Sequence, residues 1–285
     1  KSIKDIAQRF LRHTHSVIFH LDGNSLILAT CQDFNLRIGW TIFYRVIKWI
    51  FRLLMAFIAI SLLWVVAYRF INPPTTALMS SRSSLYDIDC NQTWVDYQSI
   101  GNNIKMAVIC GEDQRFKEHH GFDFKAIQKA IQHNMSGGKV RGASTISQQT
   151  AKNVFLWEGR SWVRKGLEVW FTALIELVWG KERILEVYLN IIEFGPGEEL
   201  LLKAQTLRAE GSESEKAKIA PVFGIEAASQ FYFNTPCNNL TKTQAAKLAS
   251  ILPCPSSCGM SSPFAYKHRL FILRCMRRWG KSLLL

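Results

Sequence analysis

The stretch Arg164-Lys165-Gly166-Leu167-Glu168-Val169-Trp170-Phe171-Thr172-Ala173-Leu174-Ile175-Glu176-Leu177-Val178 sets the fold class. Its apolar residues Leu167, Trp170, Phe171, Leu174 and Val178 fall at i, i+3, i+4, i+7 and i+11, which lines one side of a helix. Ile184, Leu185, Tyr188, Leu189 and Ile192 repeat the pattern, so two core helices follow one another. Further out, Asp123 can cap a helix that carries Phe124, Ile127 and Ile131 on one face and ends at Ser136-Gly137-Gly138. Thr241 can start another, from Lys242 to Leu252, which Pro253 stops. No long alternating strand and no internal repeat is found, so the domain reads as mainly α. Glu198 to Ala220, including Gly211-Ser212-Glu213-Ser214-Glu215-Lys216, is polar and reads as an inserted loop or short solvated helix.

With 285 residues, 48% of them hydrophobic, the chain can bury a sizeable core and is not disordered. Its formal charge of +13 favours anionic partners, and composition alone does not choose among nucleic acid, phosphoryl substrates and anionic lipid. A membrane segment narrows the choice. From Ile50 to Tyr68 the chain is apolar with Arg52 as the only charge, close to the roughly 20 residues that cross a hydrocarbon core. Trp49, Trp64 and Tyr68 lie towards its ends, where amphipathic aromatics suit the headgroup layer. Arg37, Arg45, Lys48 and Arg52 precede or open the span, against Arg69 and the more distant Arg82 after it, so the N-terminus is expected in the cytoplasm. The expected organisation is a tail over 1–40 with no usable motif, an anchor over 41–72, and a domain over 73–285 interrupted at about 198–220.

The seven cysteines leave their chemistry open between buried free thiols and one disulfide; Cys254-Pro255-Ser256-Ser257-Cys258 has no second pair to make a zinc site. Glu112 ends the apolar run Met106 to Cys110, so partial burial should raise its pKa towards values useful for a general base. A satisfied structural carboxylate would look the same at this level. Glu168 has Arg164 and Lys165 at i−4 and i−3, and read alone this is a surface charge ladder before it is a catalytic group. Ser144, Thr145, Gln148 and Gln149 are neutral donors suited to sugar hydroxyls or phosphate oxygens, although such clusters also cap helices.

Taken together, these residues resemble the family 51 glycosyltransferases, the peptidoglycan polymerases, and among them the monofunctional biosynthetic peptidoglycan transglycosylases of Gram-negative bacteria. The resemblance runs from about Trp40 to Gly280 and rests on motifs in order. They are Pro74-Thr75-Thr76, Glu112-Asp113-Gln114-Arg115-Phe116 with His119 and Gly121, and Gly142-Ala143-Ser144-Thr145 with Gln148-Gln149 and Lys152-Asn153. Arg164-Lys165 with Glu168, then Lys181, Ile184-Leu185 and Tyr188-Leu189-Asn190, complete the set.

The resemblance implies a lysozyme-like, two-lobed helical domain that dips into the bilayer of the bacterial inner membrane, on its periplasmic side. It implies polymerisation of lipid II into β-1,4-linked glycan with inversion and release of undecaprenyl pyrophosphate. Glu112 matches the general base, and Glu168 the second acid, which assists at the pyrophosphate. Lys152, Arg160 and Lys165 match cations that hold donor phosphates. Ser144 and Gln149 match polar residues of the donor site, and Asp113 belongs to the same acidic motif. No cofactor is required, while a divalent cation, Mg or Mn, is allowed at the pyrophosphate. Lipid II, the growing strand, the bilayer and wall-synthesis or division proteins are the implied partners, and nucleic acid is not. A catalytically weak membrane scaffold and a lysozyme-like hydrolase are the alternatives. The second leaves Lys152, Arg160 and Lys165 without a task. A second, penicillin-binding domain is not expected, since Ser136-Gly137-Gly138-Lys139 lies inside the glycosyltransferase motifs and no Lys-Thr-Gly occurs.

Overall fold

A computed structural model of the chain describes residues 17–22, 25–86, 93–137, 142–195, 221–255 and 258–284. It forms two units, 1–61 and 62–285. The first contains an antiparallel hairpin of β1 (Val17–Asp22) and β2 (Ser25–Thr30), in register from Val17 opposite Thr30 to Asp22 opposite Ser25. The described residues between 17 and 40 therefore carry more structure than their sequence suggests. Six-residue runs are too short to show a convincing period, and the available signal was Gly23-Asn24 between two apolar runs.

Helix α1 (Cys31–Phe70) begins in the first unit and ends in the second. It runs without a break because no proline occurs in it before Pro73 and Pro74. Its stretch Ile42–Phe70 is long and apolar enough to cross a membrane, and only 11% of its most apolar window is buried. Phe51, Leu53 and Leu63 are 60%, 66% and 69% exposed, which a soluble core helix would not tolerate. The apolar helix thus exceeds the 50–68 span read from hydropathy.

The second unit is the mainly α, lysozyme-like domain expected from the sequence. In order it contains α2 (Ala77–Tyr86), α3 (Asn102–Glu112), α4 (Phe124–Met135), α5 (Ile146–Phe155) and α6 (Trp162–Val178). There follow α7 (Lys181–Ile191), α8 (Ile225–Phe233), α9 (Lys242–Ile251) and α10 (Pro263–Trp279). Two packing groups share the core: α3 with α9 and α10, and α5 with α6 and α7. Every residue of α3 from Ile104 to Cys110 is buried, as an all-round apolar helix requires. Even Lys105 is inside, its ammonium 3.7 Å from the centre of the Tyr97 ring.

The helix predicted after Asp123 forms, with Asp123 accepting from the Ala126 amide. Its apolar face is not core, however: Phe124, Ile131 and Met135 are 76%, 53% and 82% exposed. The end of α1 is fastened to the domain by side-chain donors to its backbone carbonyls, among them that of Tyr68, which has no partner within the helix. Arg183 donates to the carbonyls of Tyr68 and Ile71 at 3.0 and 3.1 Å, and Trp179 Nε1 donates to Val65 O at 2.8 Å.

Among the described residues, two disulfides, Cys110–Cys275 and Cys254–Cys258, replace the single bridge or free thiols of the sequence reading, and Cys237 is a buried free thiol. Sequence spacing could not show the first pair, because its partners lie 165 positions apart. Cys90 and the segment Glu198 to Ala220 lie outside the described residues. The ends of that segment's surroundings are joined: Glu193 and Phe223 form an antiparallel bridge, and Phe194 N donates to Val222 O at 2.8 Å. Gly224 follows at φ +82°, and a Cβ there would stand 2.7 Å from Asn190 O, so only glycine fits.

Candidate active site

Glu112 is the last residue of α3, delivered by a helix that the core holds on all sides. Its Oε2 accepts from Gln149 Nε2 at 2.8 Å, and its Oε1 is buried with no hydrogen-bond partner. Burial raises the Glu112 pKa above the ordinary carboxylate value; the Gln149 bond and His268 act against that rise, and Asp113 adds to it. Gln149 is itself oriented, since its Oε1 accepts from the Tyr188 hydroxyl at 3.1 Å, which turns its amide nitrogen towards Glu112. Tyr188 is fully buried, and desolvation lifts its pKa well above the usual phenol value, so the hydroxyl stays protonated as a donor.

Asp113 faces inward. It is 6% exposed, lies 2.9 Å from His119 Nε2, and takes the Ile146 amide at 3.1 Å. A carboxylate can only accept here, so Nε2 carries the ring proton donated to it. Asp113 thereby ties the turn after α3 to the first turn of α5. Thr145 starts α5 with a reciprocal capping box to Gln148, and its hydroxyl donates to Gly121 O at 2.6 Å. Ser144, one residue earlier, is exposed.

Helix α5 joins the two acids' surroundings. Gln149 and Lys152 are i and i+3 on it, the first bonded to Glu112 and the second electrostatically coupled to Glu168. Glu168 is 4% exposed, not a surface ladder member, and is paired with Arg164 at 3.2 Å and with Lys165. Lys152 is exposed by surface area, yet enough protein surrounds its ammonium to lower its pKa. Glu168 opposes that lowering, and Arg164 adds to it. Arg160 stands apart: it is exposed before α6 and has no hydrogen bond or ion pair among the described residues. Arg164, not Arg160, is the arginine paired with Glu168.

The profile of a family described as transglycosylase matches residues 81–277. The chain belongs to this family. Among curated transglycosylases, a biosynthetic peptidoglycan transglycosylase of Pseudomonas aeruginosa is 46% identical over 76% of this chain and 85% of its own length. One from Pseudomonas putida is 46% identical over 75% and 83%, and one from Xanthomonas oryzae pv. oryzae 42% identical over 83% and 90%.

In this transglycosylase the structure brings Glu112 and Gln149 together and sets Lys152, Arg164 and Lys165 around Glu168; the sequence reading did not place Tyr188 or His268 near Glu112. In the sequence Tyr188 is an apolar-stripe position of α7 and part of the Tyr188-Leu189-Asn190 motif, without a contact to Gln149. The quality that marks it is a hydroxyl in an otherwise apolar stripe, which must find a buried partner. His268 lies in a stretch with no motif, and only the packing of α10 on α3 brings it to Glu112.

Proposed function

We propose that this transglycosylase polymerises lipid II into β-1,4-linked glycan strands, releasing undecaprenyl pyrophosphate. The observation that carries the reading is Glu112: a desolvated carboxyl with one oxygen fixed by Gln149 and the other buried and unpartnered. Such an oxygen can take the proton from the 4-hydroxyl of an incoming disaccharide as that oxygen attacks C1 of the donor sugar. The C1–O bond to pyrophosphate breaks on the opposite face, so the configuration inverts and the electron pair leaves on phosphate.

Lys152, Lys165 and Arg164 face that developing charge, with Glu168 holding the last two in place. Arg160 and Ser144, both exposed, are assigned to the outer part of the donor site. A cage of protein ligands for a metal is not found among the described residues. Glu168 is engaged by two cations, and no group of three His, Cys, Asp or Glu that could hold an ion occurs among the described residues. No step is routed through one.

A polyprenyl substrate stays in the bilayer, which gives a membrane anchor a purpose in this chain. We assign the N-terminus to the cytoplasm and the domain to the periplasmic side, with the exposed apolar residues Trp157, Trp162, Val163 and Leu177 meeting lipid. The hydrolase and scaffold readings are not favoured, as the family and its relatives point to glycan synthesis. The test is a gel assay of labelled lipid II in detergent. Glu112→Gln should fold and lose at least about 100-fold in rate, the usual worth of a general base. A variant keeping more than a third of the parent rate removes Glu112 from the mechanism.

A further inference from the structure

Three residues on one face of α10 close on the end of α3. His268, Ile272 and Cys275, spaced by four and three, lie in one stripe. Cys275 is bonded to Cys110. A Cβ placed on Gly111 would sit 3.2 Å from Ile272 Cδ1 and 3.7 Å from His268 Cε1. The stripe therefore grips the two residues that directly precede Glu112.

The imidazole is held in one orientation. Its Nδ1 lies 3.2 Å from Ser250 O of α9. A carbonyl only accepts, so Nδ1 carries the hydrogen that it donates. Phe264 and Phe271 flank the ring at centroid distances of 5.7 and 6.1 Å. The groups that act on Glu112 come from its own turn (Asp113), α5 (the neutral Gln149), α7 (Tyr188) and α10 (His268). From α9 the contact is the Ser250 carbonyl, and Lys267 and Arg269 adjoin His268 along its own helix. Asp113 and Tyr188 are anionic or neutral, so His268 is the group of this set that can become a cation.

We propose that His268 is a positioning residue for Glu112: α10, locked to α3 by Cys110–Cys275, holds its imidazole where a positive charge stabilises the ionised base. This rests on the assignment of Glu112 as the base. Burial of Glu112 disfavours the carboxylate that must accept the proton, and a neighbouring imidazolium offsets that penalty.

The experiment is the pH–rate profile of lipid II polymerisation by the full chain in detergent, for the parent, His268→Gln, His268→Asn and His268→Lys. Each rate is scaled to that variant's own plateau, and thermal unfolding checks folding. The neutral variants should move the acidic limb to higher pH, by about half a unit or more, as loss of a nearby charge does. His268→Lys should keep the parent limb. Superimposed limbs for parent and neutral variants overturn the proposal, and so does a Lys variant that shifts with them, since only packing would then matter. Asn serves if Gln does not fold. Glu112→Gln separates the two claims. Near-parent activity of that variant removes the base itself, whereas its inactivity with unmoved His268 limbs removes the role of His268 alone.

Discussion

Gln149 donates to Glu112 at 2.8 Å only because Tyr188, 3.1 Å from the other end of the same amide, fixes which way that amide points. The bond favours the carboxylate, against burial, which favours the acid. A hydrogen bond to a charged group is worth about 1.5–3 kcal/mol, which converts to roughly one to two pH units. Gln149→Ala should therefore push the Glu112 pKa higher still and move the acidic limb of the rate profile up by that amount. Tyr188→Phe, which frees the amide to turn, should move it in the same direction by less. A profile unchanged in Gln149→Ala would show that the bond does not tune the base.

The cation cluster makes a separate prediction. Lys152 owes its lowered pKa first to burial, and it shares Glu168 with Arg164 and Lys165. Its attraction for a pyrophosphate is partly screened by salt. Lys152→Ala should weaken donor use, and added salt should slow the parent more than the variant. Parallel salt curves would make Lys152 structural. Arg160→Ala, at a site with no partner among the described residues, reports whether that exposed cation reaches the phosphates at all.

How much of this was legible in the sequence follows from the range of the forces involved. Helices α6 and α7 were readable because each buries an apolar stripe with local spacing, and the caps of Asp123 and Thr241 formed as the residue types require. Glu112 was readable because it ends an apolar run. Contacts distant in sequence were not: Cys110 finds Cys275, and His268 finds the end of α3, through packing that no local pattern encodes. The surroundings of the α4 face are not legible for a related reason. Apolar period fixes that Phe124 and Ile131 share a side, but not whether protein or lipid covers it.

Two glycines with the same substitution should give opposite signs. At Gly224 a side chain meets both a positive φ and the Asn190 carbonyl at 2.7 Å, so Gly224→Ala should cost about 2–4 kcal/mol. Gly166 lies inside α6 with nothing within 4 Å, so Gly166→Ala should stabilise by roughly 0.5–1 kcal/mol. Thermal unfolding of both variants checks this. A Gly224 variant as stable as the parent would mean that the 193–223 bridge region relaxes freely.

The long-range disulfide should matter more than the short one. Cys110–Cys275 spans 165 positions and Cys254–Cys258 spans 4, and the entropy removed from the unfolded chain grows with loop length. Replacing the first pair by alanines should lower stability by about 2–4 kcal/mol. It should also lower activity, because the end of α3 loses its covalent tie to α10. Replacing the second pair should do markedly less. Equal losses in unfolding experiments would locate the stabilisation in native packing rather than in loop closure.

The last prediction concerns the polar segment of 198–220. Val222 N donates to Gly195 O, and Glu193 bridges Phe223, so the described residues on either side of the segment are already paired. Joining Gly197 directly to Val222 leaves Pro196 and Gly197 between these hydrogen-bonded residues. Pro followed by Gly suits the two central positions of a type II turn, with the existing Val222-to-Gly195 bond closing it. Loop-closure entropy changes by only about 0.6 kcal/mol per doubling of length, so the deletion should unfold within roughly 2 kcal/mol of the parent. It should also polymerise lipid II at a comparable rate, since Glu112, Gln149, Lys152 and Glu168 all lie outside the bridge. A marked gain in rate would reveal the segment as a brake on the site. Failure to fold would show that it contributes to the core, and that the turn cannot replace it.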